Sequence, residues 1–296
     1  MHRPLISVLV PTYNRPDYLL LTLKSILSQS YDFLEIIICD NSDNDDTQKV
    51  INDFHDKSRI LYSKNDTNIG VVNNFNKCLT LANGDYIHFL SDDDLLLPNA
   101  LLNKVELIKA TKAEFIFSKF SEIDANGNIL NTQPWGHDYQ SLLFDDSQKV
   151  LNLSFVAYEI NRKVVFSDLY SRWNFICLST VMISRKVFEN TGIWDINLPI
   201  ICDWDYWLRV TKNYEAFYID ENLVGYRRHN LNITSTQTNY KSLKNQLLII
   251  KKNLNPEIGT GTIIKDIKKQ IEFLKPRIFY LQVFNRVKKS IQNLFV

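Results

Sequence analysis

Four times within the first 98 residues an apolar run ends in a polar cluster, and helical patterns fill the intervals; few architectures satisfy that repeat. Leu5 to Val10 leads into Pro11-Thr12-Tyr13-Asn14-Arg15-Pro16, then a helical stripe of Tyr18, Leu19, Thr22, Leu23, Ile26 and Leu27. Glu35 to Cys39 leads into Asp40-Asn41-Ser42-Asp43 and a helix from Thr47 to Phe54; Ile60-Leu61-Tyr62 leads toward Asn68-Ile69-Gly70 and a helix from Val71 to Leu81. After Asn83-Gly84, Tyr86 to Leu90 ends in Ser91-Asp92-Asp93-Asp94. Short β-branched and aromatic runs are buried strands, and 3.6-residue stripes are helices with one apolar face. Strict alternation gives an α/β fold: a mostly parallel central sheet flanked by helices, its ligand crevice outside the carboxyl ends of the strands. Asp40 and Asp92 to Asp94 therefore share one rim.

Three carboxylates at the end of a buried strand cannot remain dry and uncompensated, because desolvating clustered negative charge is costly. Carboxylate oxygens suit a hard divalent ion, Mg²⁺ or Mn²⁺, that keeps positions open for phosphate oxygens. A helix N-cap is the other reading, with Asp ahead of Leu95-Leu96-Leu97-Pro98 favouring the dipole of a following helix. One Asp suffices for that, and both readings stand at this point.

Composition bounds the class. A chain of 296 residues that is 45% hydrophobic holds a sizeable core plus an appendage. Cys39, Cys78, Cys177 and Cys202 lack metal or disulfide-framework spacing, which suits a reducing, cytoplasmic setting. Neither a signal-peptide pattern nor a membrane-length apolar run is visible. The net charge of +1 hides an asymmetry: residues 241–296 carry 12 Lys and Arg against three acids, a net of +9, leaving about −8 on the rest. Ile263, Ile264, Ile267, Ile271 and Leu274 form one helical stripe in this tail, and Tyr280, Phe284, Val287, Ile291 and Leu294 another. Such a basic amphipathic appendage packs on its own domain or on a second copy, or rests on an anionic membrane surface. Its aromatics fall on the stripes instead of forming a stacking platform, so nucleic acid is not an expected partner.

The motifs Pro11-Thr12-Tyr13-Asn14, Asp40-Asn41-Ser42, Asn68-Ile69-Gly70, Ala82-Asn83-Gly84-Asp85-Tyr86-Ile87 and Asp92-Asp93-Asp94, with Pro98 beyond, resemble the family 2 glycosyltransferases. Gly192-Ile193-Trp194-Asp195, Asp203 to Arg209 and Tyr226-Arg227-Arg228-His229 resemble the family's later motifs, so the likeness runs in order from residue 11 to residue 229. It implies an inverting enzyme of the Rossmann-like GT-A fold in bacterial surface-polysaccharide synthesis, which moves a sugar from a nucleotide-diphosphate donor to a glycan or lipid-linked glycan acceptor. The implied layout is a catalytic domain over 1–235, with a nucleotide-sugar half (1–98) and an acceptor half (99–235), and a helical tail over 236–296.

By the same resemblance Asp93 is the metal ligand, Asp92 contacts the ribose or a metal-bound water, and His229 reaches the metal from the far side. Ser91 replaces the first carboxylate of the family's Asp-x-Asp-Asp. Pro11, Thr12, Tyr13, Asn14, Asn68 and Gly70 would contact the nucleotide. Asp40, an acceptor-only group, would accept the imide N–H of uracil or thymine, favouring UDP- or dTDP-sugars. Phe75-Asn76 stands where many relatives have Arg-Asn, leaving Asn74 or Lys77 as substitutes. Asp203 is the expected general base, at the start of a helix from Trp204 to Asn213 whose dipole would keep it ionised; an ordinary N-cap is the alternative. Trp173, Asn174, Trp204 and Asp205 are expected on the acceptor side, with Asp205 also placed to pair with Arg209. An inert nucleotide- or glycan-binding relative would lack the metal or base carboxylates, and both are present. A sugar nucleotidyltransferase would need a Gly-rich phosphate loop near the N-terminus, yet no Gly precedes Gly70.

Overall fold

The computed structural model describes residues 3–54, 57–132, 147–171, 174–198, 201–229, 239–253, 265, 268–269 and 271–280. β1 (Ile6–Thr12) is buried along its length and pairs in parallel with β2 (Leu34–Asp40) and with β4 (Tyr86–Phe89). β3 (Ile60–Lys64) lies parallel to β2, giving the order β3-β2-β1-β4. The chain winds outward in both directions from β1, so a crevice opens where the ends of β1 and β4 diverge. That parallel register sets Leu9 against Phe89, and its continuation brings Thr12 opposite Asp92.

Beyond β4 the sheet turns mixed. β10 (Met182–Ser184) runs antiparallel to β4 and to β6 (Phe115–Ile123), whereas β11 (Ala216–Arg227) is parallel to β6. β9 (Ala157–Ile160) and β8 (Ser147–Val150) continue the sheet antiparallel, and β7 (Ile129–Asn131) pairs with β6. The parallel expectation thus describes the first half only. Leu95-Leu96 corrects it further: these residues form β5 (Leu95–Leu96), antiparallel to β11, in place of a helix start. Pro98 disfavours helical backbone at Leu97, so α4 (Ala100–Thr111) begins only after Asn99, which takes φ 63°. The N-cap explanation of the acid run falls with that.

Strand alternation sorts the core into two layers. Leu9, Ile37, Ile87 and Phe89 join α3 (Val71–Leu81), α5 (Arg162–Ser171), α6 (Arg185–Thr191) and α7 (Cys202–Val210) on one face. Val8, Val10, Ile36 and Ile38 join α1 (Pro16–Leu27), α2 (Asp46–Asn52) and α4 on the other. Each such buried side chain contributes about 1.5–3 kcal/mol. Gly84 fits between them because a Cβ there would sit 2.5 Å from the Ser7 backbone nitrogen and 2.8 Å from the Leu5 carbonyl oxygen.

The described part of the tail packs on this domain. Ile249 and Ile250 of α8 (Asn239–Lys252), with Leu274 and Ile278 of a helix over 271–280, enter the same layer as α5 and α7. Lys252 Nζ reaches Asp195 and Asp205 at 2.6 and 3.0 Å, and Asn253 Nδ2 donates to Asp205 Oδ1 at 2.8 Å. On the outer face Phe273, Phe279 and Tyr280 are exposed, and the Arg277 guanidinium stacks 3.8 Å from the Phe273 ring centre. Ile263, Ile264, Ile267, Phe284, Val287, Ile291 and Leu294 lie outside the described residues. No helix among the described residues is long and apolar enough to cross a membrane.

Candidate active site

The acid run forms a tight turn closed from behind by α1: Thr22 Oγ1 donates to the carbonyls of Asp92 and Asp94 at 2.9 and 2.8 Å. Asp92 accepts from Thr12 Oγ1 at 2.8 Å, as the strand register requires, and from the Tyr13 amide at 3.3 Å. Burial and the neighbouring Asp93 push its carboxyl up to about 6, although Arg15 pulls the other way. Asp94 is sequestered, accepting from Ser179 Oγ at 2.5 Å and the Arg227 amide at 2.9 Å; burial drives its carboxyl well above the usual range.

The cation that these acids demand is, in this structure, an arginine. Arg15 Nη1 lies 3.1 Å from Asp92 Oδ1 and 2.7 Å from Asp93 Oδ2. His229 approaches the same Asp93 Oδ2 from β11, with Nε2 at 2.9 Å. Its ring stacks on Tyr18 at 4.8 Å, and the Arg227 guanidinium sits 5.1 Å over that same Tyr18 ring. Arg227 is itself fully buried, donating to the carbonyls of Asp93, Asp124 and Ala125 at 2.7–2.9 Å. A cation–π and stacking column thus carries His229 to the acids.

Arg15, Asp92, Asp93, Asp94 and Ser179 line a cleft of about 590 Å³, a size ordinary for small-molecule sites, whereas His229 and Asn14 do not line it. Pro11, Thr12, Tyr13, Asn68 and Gly70 line it, as do Asn174, Ile176, Cys202 and Asp203. Tyr13 is 44% exposed and donates from its hydroxyl to Asp43 at 3.2 Å. Asn14 adopts φ 53° and braces that loop, its Nδ2 donating to Asp43 at 3.0 Å. Gly70 has φ 85° at the start of α3.

Asp203 lies in the first turn of α7, after the cap position at Ile201. Asn174 Nδ2 donates to its Oδ2 and the Trp204 amide to its Oδ1, each at 2.8 Å. Here the expectation of a pKa held low by the helix dipole is overturned: burial outweighs both hydrogen bonds and pushes the carboxyl up to about 6.

Other expectations are corrected. Asp40 is fully buried, Oδ1 accepting from the Ser42 amide at 2.7 Å and Oδ2 from the Tyr62 hydroxyl at 2.8 Å, so it shapes the turn and does not line the cleft. Trp204 is a core residue 2% exposed, its indole donating to the Leu169 carbonyl at 2.9 Å. Asp205 is buried and spent on Arg209, Lys252 and Asn253; the pairing with Arg209 is as expected, at 3.0 Å, but an acceptor contact is not available to it. Lys77 donates to Asn65 at 2.6 Å, and Phe75 stacks against Trp194 at 4.6 Å, so no second arginine-like cation replaces the family's Arg there. Trp173 lies outside the described residues.

The family model described as Glycosyl transferase family 2 matches residues 7–191, more than half of the chain. The chain belongs to glycosyl transferase family 2. This glycosyltransferase is 30% identical over 255 residues to the UDP-Glc:alpha-D-GlcNAc-diphosphoundecaprenol beta-1,3-glucosyltransferase WfaP of Escherichia coli, covering 83% of this chain and 86% of that one. It is 29% identical to the putative teichuronic acid biosynthesis glycosyltransferase TuaG of Bacillus subtilis, covering 79% and 83%. S. aureus TarS 1-349, solved with UDP-GlcNAc, superposes with a TM-score of 0.61 at 18% identity, covering 83% of this chain and 66% of that one. The Pyrobaculum calidifontis mannosyltransferase PcManGT, solved with GDP-Man and Mn²⁺, gives 0.62 at 15% identity, covering 93% and 70%. Those likenesses establish the GT-A fold, and family membership removes the nucleotidyltransferase alternative.

The glycosyltransferase's donor set fits a divalent ion of modest protein ligation. Among the described residues no group of three or more metal-ligating side chains converges, but Mg²⁺ in nucleotide sites takes one or two carboxylates and leaves the rest to phosphate and water. Adjacent ligands of an octahedral ion at about 2.1 Å stand about 3 Å apart, and Asp93 Oδ2 and His229 Nε2 are 2.9 Å apart. Sequence reasoning assigned no role to Arg15, Tyr18, Thr22 or Ser179. For Arg15 a signal existed: it follows the β1 end that the register brings alongside Asp92. Ser179 comes from a 3₁₀ turn 85 residues from Asp94 and left none.

Proposed function

We propose that this enzyme is a metal-dependent inverting glycosyltransferase that moves a sugar from a UDP- or dTDP-sugar to a hydroxyl of a lipid-linked glycan in a single displacement. The observation that carries the reading is one cleft lined by both the Asp92-Asp93 pair and Asp203, which Asn174 holds. Asp93 and His229 would hold Mg²⁺ or Mn²⁺; when bound, that ion supplies charge stabilisation to the leaving diphosphate. Tyr13 offers an exposed ring for the base, while Asn41 and Asn68 supply amides in the same cleft. Asp203 takes the proton of the acceptor hydroxyl at its Oδ oxygens while Asn174 fixes the carboxylate plane, and a base titrating near 6 is largely ionised at neutral pH. Apolar Ile176, Trp194 and Ile201 limit water around the reacting centre.

The uracil preference is supported by the UDP-Glc named in WfaP, 30% identical to this chain. With Asp40 shielded, base selection passes to the groups that line the cleft. The lipid-linked acceptor is supported by the diphosphoundecaprenol in WfaP's name and by the excess of basic residues in the tail, which favours the cytoplasmic face of an anionic membrane. The test is turnover of UDP-, dTDP- and GDP-sugars with Mn²⁺ on a diphospholipid-linked sugar, for wild type and Asp93→Asn. UDP- or dTDP-sugar turnover that Asp93→Asn abolishes supports the reading; preference for GDP-sugars, or undiminished turnover with a chelator present, refutes it.

A further inference from the structure

At the acidic end of β4 one arginine serves two carboxylates. Arg15 bridges Asp92 and Asp93, and its Nη1 contacts the same Asp93 Oδ2 that His229 approaches. Its side chain is only 16% exposed and lines the cleft. A guanidinium and a divalent ion on one carboxylate oxygen oppose each other. They would compete for the same lone pairs, and their charges would repel at close range in a poorly solvated pocket. A metal taking Asp93 Oδ2 therefore weakens Arg15's hold there, and a displaced guanidinium is best placed on another anion. The other acids of this turn are poor hosts: Asp94 is fully engaged with Ser179 and Arg227, and Asp92 remains beside the ion. The anion that arrives with the substrate is the diphosphate, and Arg is suited to grip phosphate bidentately.

We propose that Arg15 is a stand-in cation that holds Asp92 and Asp93 until the donor's diphosphate draws it away, so that metal and nucleotide bind jointly and metal alone binds poorly. This rests on the metal reading above and adds to it an order imposed by one side chain. Before donor arrives, Arg15 keeps the two acids compensated and the turn in shape. Once it moves to phosphate, the same charge aids the leaving group and frees Asp93 for the ion. By reciprocity, Mn²⁺ must then raise UDP affinity by the factor by which UDP raises Mn²⁺ affinity.

The experiment is Mn²⁺ binding to the full chain, followed by electron paramagnetic resonance of free Mn²⁺ and by calorimetry, with and without UDP. Wild type, Arg15→Gln and Arg15→Lys are compared. For wild type UDP is expected to tighten Mn²⁺ binding by a factor in the range of about 5–150. Arg15→Gln, lacking the competing charge, is expected to bind Mn²⁺ alone about tenfold more tightly than wild type and to show a smaller coupling, keeping the part that phosphate oxygens on the ion supply directly. Arg15→Lys keeps the charge and is expected to stay close to wild type. Because Arg15→Gln leaves two acids uncompensated, its melting temperature in Mn²⁺ alone is a second measurement, expected to rise more than that of wild type. Equal Mn²⁺ affinity and equal coupling in wild type and Arg15→Gln overturn the proposal while leaving the metal reading intact. Absence of Mn²⁺ binding in all three proteins, even with UDP, overturns both.

Discussion

Replacing Asp203 by Asn separates a catalytic carboxylate from a structural one, because the two roles move activity and stability in opposite directions. Burial raises the carboxyl from its ordinary 3.8 to about 6, a shift of about two units. At 1.36 kcal/mol per unit, the ionised form costs the folded protein up to roughly 3 kcal/mol at neutral pH. Asn avoids that cost and keeps its carbonyl for Asn174, but it offers an N–H to the Trp204 amide and loses about 1 kcal/mol of hydrogen bonding. Partial solvent access to the carboxylate screens part of the gain. The variant is therefore expected to be more stable by about 1–2 kcal/mol at pH 7.5, a rise of roughly 2–4 °C in melting temperature. The sign with pH follows from a raised folded value: the wild type loses stability as pH rises through about 6, so the difference from Asn vanishes below about pH 4. Turnover is expected to fall by about 10²-fold or more, with UDP affinity unchanged. Wild-type activity should rise toward a plateau above about pH 6. Melting curves at pH 4 and 7.5, together with steady-state kinetics, make the check. Near-normal turnover refutes the base assignment, and a destabilised variant at pH 7.5 refutes the account of burial.

Lys104 gives a second test of buried charge. It is fully buried in α4, its Nζ has no hydrogen-bond partner among the described residues, and burial lowers its ammonium to about 7. A depressed amine stabilises the fold only when neutral, so the wild type loses stability as pH falls from about 10.5 to about 7; Lys104→Met is expected to gain roughly 2–4 kcal/mol at pH 7 by denaturant titration, and a loss there contradicts the argument. For the tail, the outward face of the helix over 271–280 presents Phe273, Phe279 and Tyr280 beside Lys275 and Arg277. The full chain is expected to co-sediment with anionic vesicles at low salt and to release at high salt. Changing those three aromatics to Ser should abolish that binding; indifference of the wild type to anionic vesicles removes the membrane reading.

Much of the first 98 residues was legible because its information is local. Apolar runs at period 2, stripes at period 3.6 and strand-end polar clusters place β1 to β4 and α1 to α3 within a residue or two, and the helix over Val71–Leu81 has the expected bounds. The rim then follows from topology, with Thr12 meeting Asp92 through strand register alone. What failed depended on distant partners. Leu95-Leu96 became a strand because β11, more than 120 residues later, pairs with it. Asp40 was expected to face a ligand, but Tyr62 on the adjoining strand takes one oxygen. Trp204 shares a helix with Asp203, yet a step of one residue rotates it into the core. The acidity of Asp203 was misjudged because helix position is visible in a sequence and burial depth is not.

Asp205 sets a boundary on where this enzyme can be cut. It sits two residues beyond Asp203 on α7, fully buried, and its oxygens are taken by Arg209, Lys252 and Asn253. Two of those three partners come from α8 and the residue after it, outside the stretch that matches the family model. A fragment trimmed at the end of β11 would keep every residue that lines the cleft and still strand this carboxylate beside the helix turn that holds Asp203. Such a half-relieved ion cluster costs about 3–5 kcal/mol, enough to erode a marginally stable fold. The smallest excisable catalyst thus runs at least through Asn253, because α8 braces the helix turn that holds Asp203.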